Sequence, residues 1–428
     1  MFKIILFLIF VFLCNSLYAL DIPTTIKSTI ENNPKIKIGL EKINEAKELI
    51  NKASGELLPD ISSSITGTLE SSNTKTTSST TEDDTFADKY KLTITKNLYD
   101  AGIDKLEIER SKILFQNEII NFNILLENLI IDAITGYLTV LNYESSLTAN
   151  QKNFEFLNKL LEETKTKYDL GSATIYDLQK AESSFSMSEA NLFAAQQNLE
   201  IAKKSFKLIV SKEAINLDNL IEINDNINLN NIEENALKNN LSLSLIKNDI
   251  KNKNILLLKE KKSKKPYLDL TGTAEYSDSD RIDSGTETMK GNLAITLTIP
   301  IFQQGIDNSN IRKYFSQILQ SEIELDDKTD ELLLSISNTY KDFLINKSLM
   351  KANAYSMKAY KTSLESLNQE YLLGTKSITD LLEDEENLLN YTVNFSNSNK
   401  DYLISYFKIL SLEGSLLDNF SEYLPKLE

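Results

Sequence analysis

The chain carries two kinds of hydrophobic pattern. In the first, Ile61, Ser63, Ile65, Gly67 and Leu69 fall on one face of a strand, with Ser62, Ser64, Thr66, Thr68 and Glu70 on the other. Tyr90, Leu92 and Ile94 alternate with Lys91, Thr93 and Thr95. Later, Leu268, Leu270, Ala274 and Tyr276 alternate with Asp269, Thr271, Thr273 and Glu275, and Leu293, Ile295, Leu297 and Ile299 with Asn292, Ala294, Thr296 and Thr298. The pattern predicts four two-faced strands, at about 60–70, 89–97, 267–276 and 291–300. Ser/Thr/Asp-rich segments 71–88 and 277–289 read as the exposed tips of two hairpins.

The second pattern is helical. Residues 103–168 contain no Pro and one Gly, Gly136, and residues 306–371 contain neither. At 1.5 Å per residue each would reach ~100 Å. Each stretch meets a glycine, Gly171 or Gly374, and a second helix follows, over 175–211 or 378–412. Apolar steps of three, four and seven residues, as in Leu106, Ile113, Ile120, Leu125, Leu129 and Ile134, suit helices packed side by side in a coiled-coil manner.

These elements occur twice. The segment from Asn32 to Pro59 is matched 207 residues later, from Asn239 to Pro266. Leu98-Tyr99-Asp100-Ala101-Gly102-Ile103-Asp104 parallels Ile301-Phe302-Gln303-Gln304-Gly305-Ile306-Asp307 at an offset of 203, which Tyr137 and Tyr340 keep. The run Tyr168-Asp169-Leu170-Gly171-Ser172-Ala173-Thr174-Ile175-Tyr176-Asp177-Leu178 keeps it against Tyr371-Leu372-Leu373-Gly374-Thr375-Lys376-Ser377-Ile378-Thr379-Asp380-Leu381. The expected division is a first repeat over 20–211, a linker over 212–237, a second repeat over 238–412 and a tail over 413–428.

Residues 1–19 precede the repeats with a lysine, an apolar run from Ile4 to Leu13 and a polar stretch ending in Ala19, the pattern of a secretory signal peptide. The sole cysteine, Cys14, lies inside it behind Leu13, where a lipid-attachment box wants a small residue. The exported chain would therefore hold no disulfide. No later stretch approaches eighteen consecutive apolar residues, so entry into a membrane would have to be as a β-barrel. Four strands are too few to close one, and closure requires several copies of the chain.

Composition narrows the chemistry. With no histidine among 428 residues, Ser/His and Cys/His triads and imidazole metal sites are excluded. A net charge of −16 disfavours nucleic acid as a partner. Paired carboxylates such as Asp83-Asp84 or Glu385-Glu386 are expected in a polar loop and on a charged helix face, with nothing to bury them, so an enzyme is disfavoured. No cofactor and no metal site are expected.

The duplicated strand-strand-helical-hairpin order, the Leu-Tyr-Asp-Ala-Gly turn and the Tyr-Asp-Leu-Gly-Ser-Ala-Thr-Ile-Tyr-Asp-Leu tip resemble the TolC family of outer-membrane efflux and secretion channels. The resemblance covers essentially all of the chain after residue 19. It implies a mainly α fold with β, in which a homotrimer closes one 12-stranded outer-membrane barrel from four strands per chain, continuous with a periplasmic α-helical tunnel. Residues 212–237 and the tail from 413 would form a belt around that tunnel. The implied function is a passive exit duct of a tripartite efflux or type I secretion system. Its implied partners are a periplasmic adaptor (membrane fusion) protein, an inner-membrane pump of the RND, ABC or MFS type, and outer-membrane lipid.

Carried over by position, Asp177, Tyr371 and Lys376 match the family's periplasmic gate, with Lys376 standing where Arg is common. Asp380 and Glu383 match its constriction ring, Glu383 in place of a second Asp. The tips Gly171, Ser172, Ala173, Gly374 and Thr375 would dock the adaptor. A periplasmic coiled-coil adaptor or scaffold is the alternative reading, which would typically show one hairpin inserted in globular β domains.

Overall fold

The computed structural model describes residues 20–426 apart from 220, 222, 225 and 282–284. The signal-peptide reading, with Cys14, lies outside the described residues. Helices α1 (Ile22–Asn32) and α2 (Pro34–Gly55) lead into strands β1 (Asp60–Lys75) and β2 (Thr80–Tyr99), then α3 (Ile103–Asp169) and α4 (Ile175–Val210). The order recurs as α5 (Leu229–Asn239), α6 (Leu241–Lys262), β3 (Tyr267–Arg281), β4 (Thr286–Thr298), α7 (Ile306–Leu372) and α8 (Ile378–Glu413), followed by a 3-10 turn at Asp418–Tyr423. Helix α5 begins inside the segment expected to be linker.

The strands run further than the alternation indicates. Pairing of β1 with β2 continues from Glu70↔Thr85 to Lys75↔Thr80, and β3 pairs β4 out to Ser279↔Thr286. Segments expected as loops are thus mostly strand, and only 76–79 form the first tip, where the Thr76 N–H donates to the Ser79 carbonyl at 2.8 Å. A ladder needs backbone partners and tolerant residues, which the threonine-rich run supplies, and it needs no buried face.

One compact unit comprises Leu40–Asn121 and Ser244–Asp327 and holds the four-stranded antiparallel sheet, in the order β1-β2-β3-β4. Its register gathers the alternating residues into two faces. Ile61↔Ile94↔Gly272↔Leu293, Ile65↔Tyr90↔Tyr276↔Met289 and Leu69↔Phe86 lie on one face, and Ser62↔Thr93↔Thr273↔Asn292 and Ser64↔Lys91↔Glu275↔Lys290 on the other. Lys89 and Glu275 form an ion pair at 2.9 Å on the polar face. In the helices of this unit, Asn248 Nδ2 donates to Asn117 Oδ1 at 3.0 Å, and Glu107 binds both Lys259 and Arg110.

The other unit comprises residues up to Gly39, Phe122–Leu243 and Lys328–Glu428. Its core includes Ile26, Ile130, Ile134, Tyr137, Phe206, Ile232, Phe343 and Ile409, all fully buried. Tyr137 Oη donates to the carbonyls of Leu20 (2.7 Å) and Asp218 (2.8 Å), pinning the segments that meet in the Leu20↔Leu217 bridge. Tyr340, its counterpart in the second copy, donates to the Ile227 carbonyl at 3.4 Å. Three polar contacts join α3 to α8: Ser411 to Glu127 (3.3 Å), Asn142 to Asn397 (2.9 Å) and Asn153 to Glu385 (2.9 Å).

Among the described residues one helix, α3, is long and apolar enough to cross a membrane by length and composition, in a window of which half is buried.

Candidate functional site

The two hairpin tips have the same backbone. Gly171 has φ +74° and Gly374 φ +77°, the left-handed conformation in which a Cβ is strained. In the first, the N–H groups of Gly171 and Ser172 donate to the carbonyls of Tyr168 (2.9 Å) and Lys167 (2.8 Å). In the second, Gly374 and Thr375 donate to Tyr371 (3.0 Å) and Glu370 (3.0 Å). The Ser172 and Thr375 hydroxyls add a bond each to the Lys167 and Glu370 carbonyls, both 2.9 Å. These paired bonds satisfy two carbonyls in the last turn of each of α3 and α7. Gly171, Ser172, Gly374 and Thr375 are exposed, and Ala173 is half-buried.

Both following helices begin with a capping box. Asp177 Oδ2 accepts from the Thr174 N–H (2.9 Å) and hydroxyl (2.8 Å), and Thr174 Oγ1 accepts from the Asp177 N–H (3.1 Å). Asp380 Oδ2 accepts from the Ser377 N–H (3.1 Å) and hydroxyl (2.9 Å), and Ser377 Oγ accepts from the Asp380 N–H (3.2 Å). The Ser377 hydroxyl and N–H, with a smaller contribution from Lys376, hold the Asp380 carboxyl below the ordinary carboxylate value. The helix-starting arrangement [ST]-x-x-[DE] is present in the sequence at both places, so this role of the two aspartates was readable there.

Tyr371 is buried. It packs with Leu157, Leu160, Ala181, Ile378 and Leu381, a cluster drawn from both hairpins. Its ring face is covered by Lys167, whose Nζ lies 4.0 Å from the centroid; sequence reasoning had not singled out Lys167. Lys376 and Glu383 are exposed.

The neighbouring carboxylate corrects an expectation. Glu385, taken with Glu386 as lying on a charged helix face with nothing to bury it, is only 6% exposed. Burial pushes its carboxyl up to about 7, and the bond from Asn153 only partly offsets this. It borders a groove of about 470 Å³, whose charged lining groups besides it are Lys180, Glu383 and Glu386. No sequence signal marks Glu385, because its burial depends on α3 lying opposite. The other acidic pair, Asp83 and Asp84, falls on β2. Among the described residues no group of three or more His, Cys, Asp or Glu side chains is placed to hold a metal ion.

In the sheet-bearing unit the apolar face is uncovered. Ile65, Leu69, Met289, Leu293 and Ile295 are each between 64% and 85% exposed. From Leu268 to Tyr276 the face spans ~26 Å along β3 at 3.3 Å per residue, close to the apolar band of a membrane barrel, and beyond it lies the acidic row Asp88↔Asp278↔Glu287. Tyr90 and Tyr276 sit together on it, with ring centroids 6.1 Å apart. Strands β1 and β4 each have one edge unpaired within the described chain.

The model of the outer membrane efflux protein family matches residues 25–210. Outer membrane protein TolC of Escherichia coli is 24% identical over 309 residues, covering 68% of this chain, which thus spans 62% of that relative's length. TolC of Salmonella enteritidis is 21% identical over 410 residues, covering 90% of this chain and 80% of the relative. The Campylobacter jejuni CmeC outer membrane channel superposes with a TM-score of 0.80 at 17% identity, covering 94% of this chain and 90% of that one. The Neisseria gonorrhoeae MtrE channel in its open state gives 0.71 at 14% identity, covering 92% and 89%. The chain is thus similar to the TolC family of outer-membrane channel proteins, in sequence to its members and in fold over nearly its whole length.

Proposed function

We propose that the protein is the outer-membrane exit duct of a tripartite efflux or type I secretion system, working as a homotrimer. The observation that carries this is the four-stranded sheet, with an exposed face that is apolar from Leu268 to Tyr276 and turns acidic beyond it at Asp88↔Asp278↔Glu287, one polar face and two free edges. In a bilayer an unpaired edge is unfavourable at every N–H and C=O along it. Pairing β4 of each copy with β1 of the next removes both edges, and three copies give twelve strands. The apolar face then meets lipid, and the polar residues line the lumen.

Substrate would reach the duct from an inner-membrane pump through a periplasmic adaptor seated on the tips at Gly171, Ser172, Ala173, Gly374 and Thr375. Asp177, Tyr371 and Lys376 would act at the periplasmic gate, and Asp380 and Glu383 would form acidic rings at the constriction. With Tyr371 held in its own chain's core, its contribution to closure would be to fix the two tips against each other. The division into repeats 20–211 and 238–412 would give each chain two equivalent hairpins.

The test uses the absence of cysteine after residue 19. Single cysteines introduced along β1 and β4, in otherwise cysteine-free chains, should cross-link between copies in isolated outer membranes, and unheated gels should show a trimer. A monomer in the soluble periplasmic fraction, or cross-links only within one chain, would overturn the reading.

A further inference from the structure

Five lysines stand within seven residues at the junction of α6 and β3: Lys259, Lys261, Lys262, Lys264 and Lys265. In a chain of net charge −16 this is a local reversal of sign. The equivalent stretch of the first copy, Lys52-Ala53-Ser54-Gly55-Glu56-Leu57-Leu58, holds one lysine, so this corner of the fold does not itself require the run.

Interactions within the chain account for part of it. Lys259 pairs with Glu107, and Lys264 donates to Asn308 Oδ1. Lys259, Lys261 and Lys262 occupy the last turn of α6, where cations complement the helix carbonyls. Lys265 lies beyond that turn, and among the described residues Lys261, Lys262 and Lys265 have no ion pair. Lys261 and Lys265 are exposed.

Their position gives the excess charge a partner. The run ends two residues before Tyr267, where β3 begins, and the apolar face starts at Leu268↔Leu297. At this end of the face Tyr99 pairs Leu268, and Lys96 pairs Leu270 with its Nζ turned back to the Leu57 carbonyl. An exposed tyrosine and a lysine folded back from the apolar face are the side chains that settle where hydrocarbon gives way to headgroups.

We propose that Lys261, Lys262 and Lys265, flanked by Lys96 and Tyr99, form a rim that binds the phosphodiester headgroups of anionic phospholipid at the helix-side end of the barrel strands. The proposal rests on the barrel reading above. A basic segment beside a membrane-entering element gains about fivefold in association with an anionic surface for each lysine near it, falling with salt. Trimerisation would set three such rims around one barrel.

The experiment reconstitutes the full-length protein in nanodiscs of phosphatidylethanolamine with a minor fraction of phosphatidylglycerol, then releases it and quantifies the retained lipid by mass spectrometry. Wild type should retain phosphatidylglycerol at least fivefold above its bulk share, less at high salt. Lys261→Gln/Lys262→Gln/Lys265→Gln should retain it near the bulk share while inserting and melting as wild type does. Equal enrichment in the variant, no enrichment in wild type, or a variant that melts lower with lipid retention unchanged, as a purely helix-terminal role would give, overturns the proposal. Failure of wild type to enter the discs at all would instead refute the barrel reading.

Discussion

Replacing Glu385 by Gln keeps the shape of the side chain and its bond partner Asn153 but removes the ability to ionise. In the packed state burial raises the Glu385 carboxyl from 4.5 to about 7, so the folded tip holds a proton that the opened tip releases. The stabilisation from that proton is fully present below about pH 4.5 and is lost as pH rises through about 7. The gap corresponds to roughly 3 kcal/mol once both states are ionised, or about a hundredfold in the opening equilibrium. Lys180, Glu383 and Glu386, which line the same groove, are unchanged by the substitution. Hydrogen exchange followed by mass spectrometry on peptides from the start of α8 reads the local opening directly. At pH 4 wild type and Glu385→Gln should exchange alike. At pH 8 the variant should be protected by up to about two orders of magnitude more, the comparison being made at one pH so that intrinsic exchange cancels. A protection ratio that does not change with pH would refute the reasoning.

Other outcomes follow from the tips and the helix contacts. Asp380→Asn should keep the capping box yet, if the acidic ring governs ions, lose cation selectivity and block by a trivalent cation together with Glu383→Gln in planar-bilayer recordings; Asp380→Ala should in addition raise exchange in the first turn of α8. Asp177→Asn with Lys376→Gln should increase channel opening while selectivity stays as in wild type, and closed channels in that double variant would remove these residues from the gate. Photo-cross-linkers at Ala173 and Thr375 should capture the adaptor, whereas capture only from 71–88 would invert the assembly. Gly39→Ala sets a Cβ 2.5 Å from Phe122 Cδ2 in the buried core; overpacking of about 1–3 kcal/mol should exceed the gain of about 1 kcal/mol in helix propensity, so a raised melting midpoint by far-ultraviolet circular dichroism would contradict it.

The long elements were legible because their boundaries are chemical. Gly102 and Gly171 bracket α3, and Gly305 and Gly374 bracket α7, so helices expected at 103–168 and 306–371 end within a residue of where they are found. The ends of the strands were not legible from alternation, because Ser71 to Lys75 pair through backbone alone and leave no periodic trace. At the tips the sequence located Gly171, Gly374, Asp177 and Asp380, and the Thr174 and Ser377 caps were present to be read. The burial of Tyr371 beneath Lys167 and of Glu385 beside Asn153 depends on helices distant in sequence coming together, and periodicity within one helix carries no record of its neighbour.

The open edges of the sheet constrain how the protein can be made as well as what it becomes. On the barrel reading, a chain that crossed the membrane alone would carry the unpaired sides of β1, 16 residues, and β4, 13 residues, into hydrocarbon. Insertion is therefore kinetically bound to assembly: copies must meet while their strands are still wetted, and the rate of appearance of mature channel should rise more steeply than linearly with chain concentration. A chain with an intact β4 and a β1 unable to pair would join one neighbour and arrest the ring, so a minority of such chains should suppress a majority of sound ones.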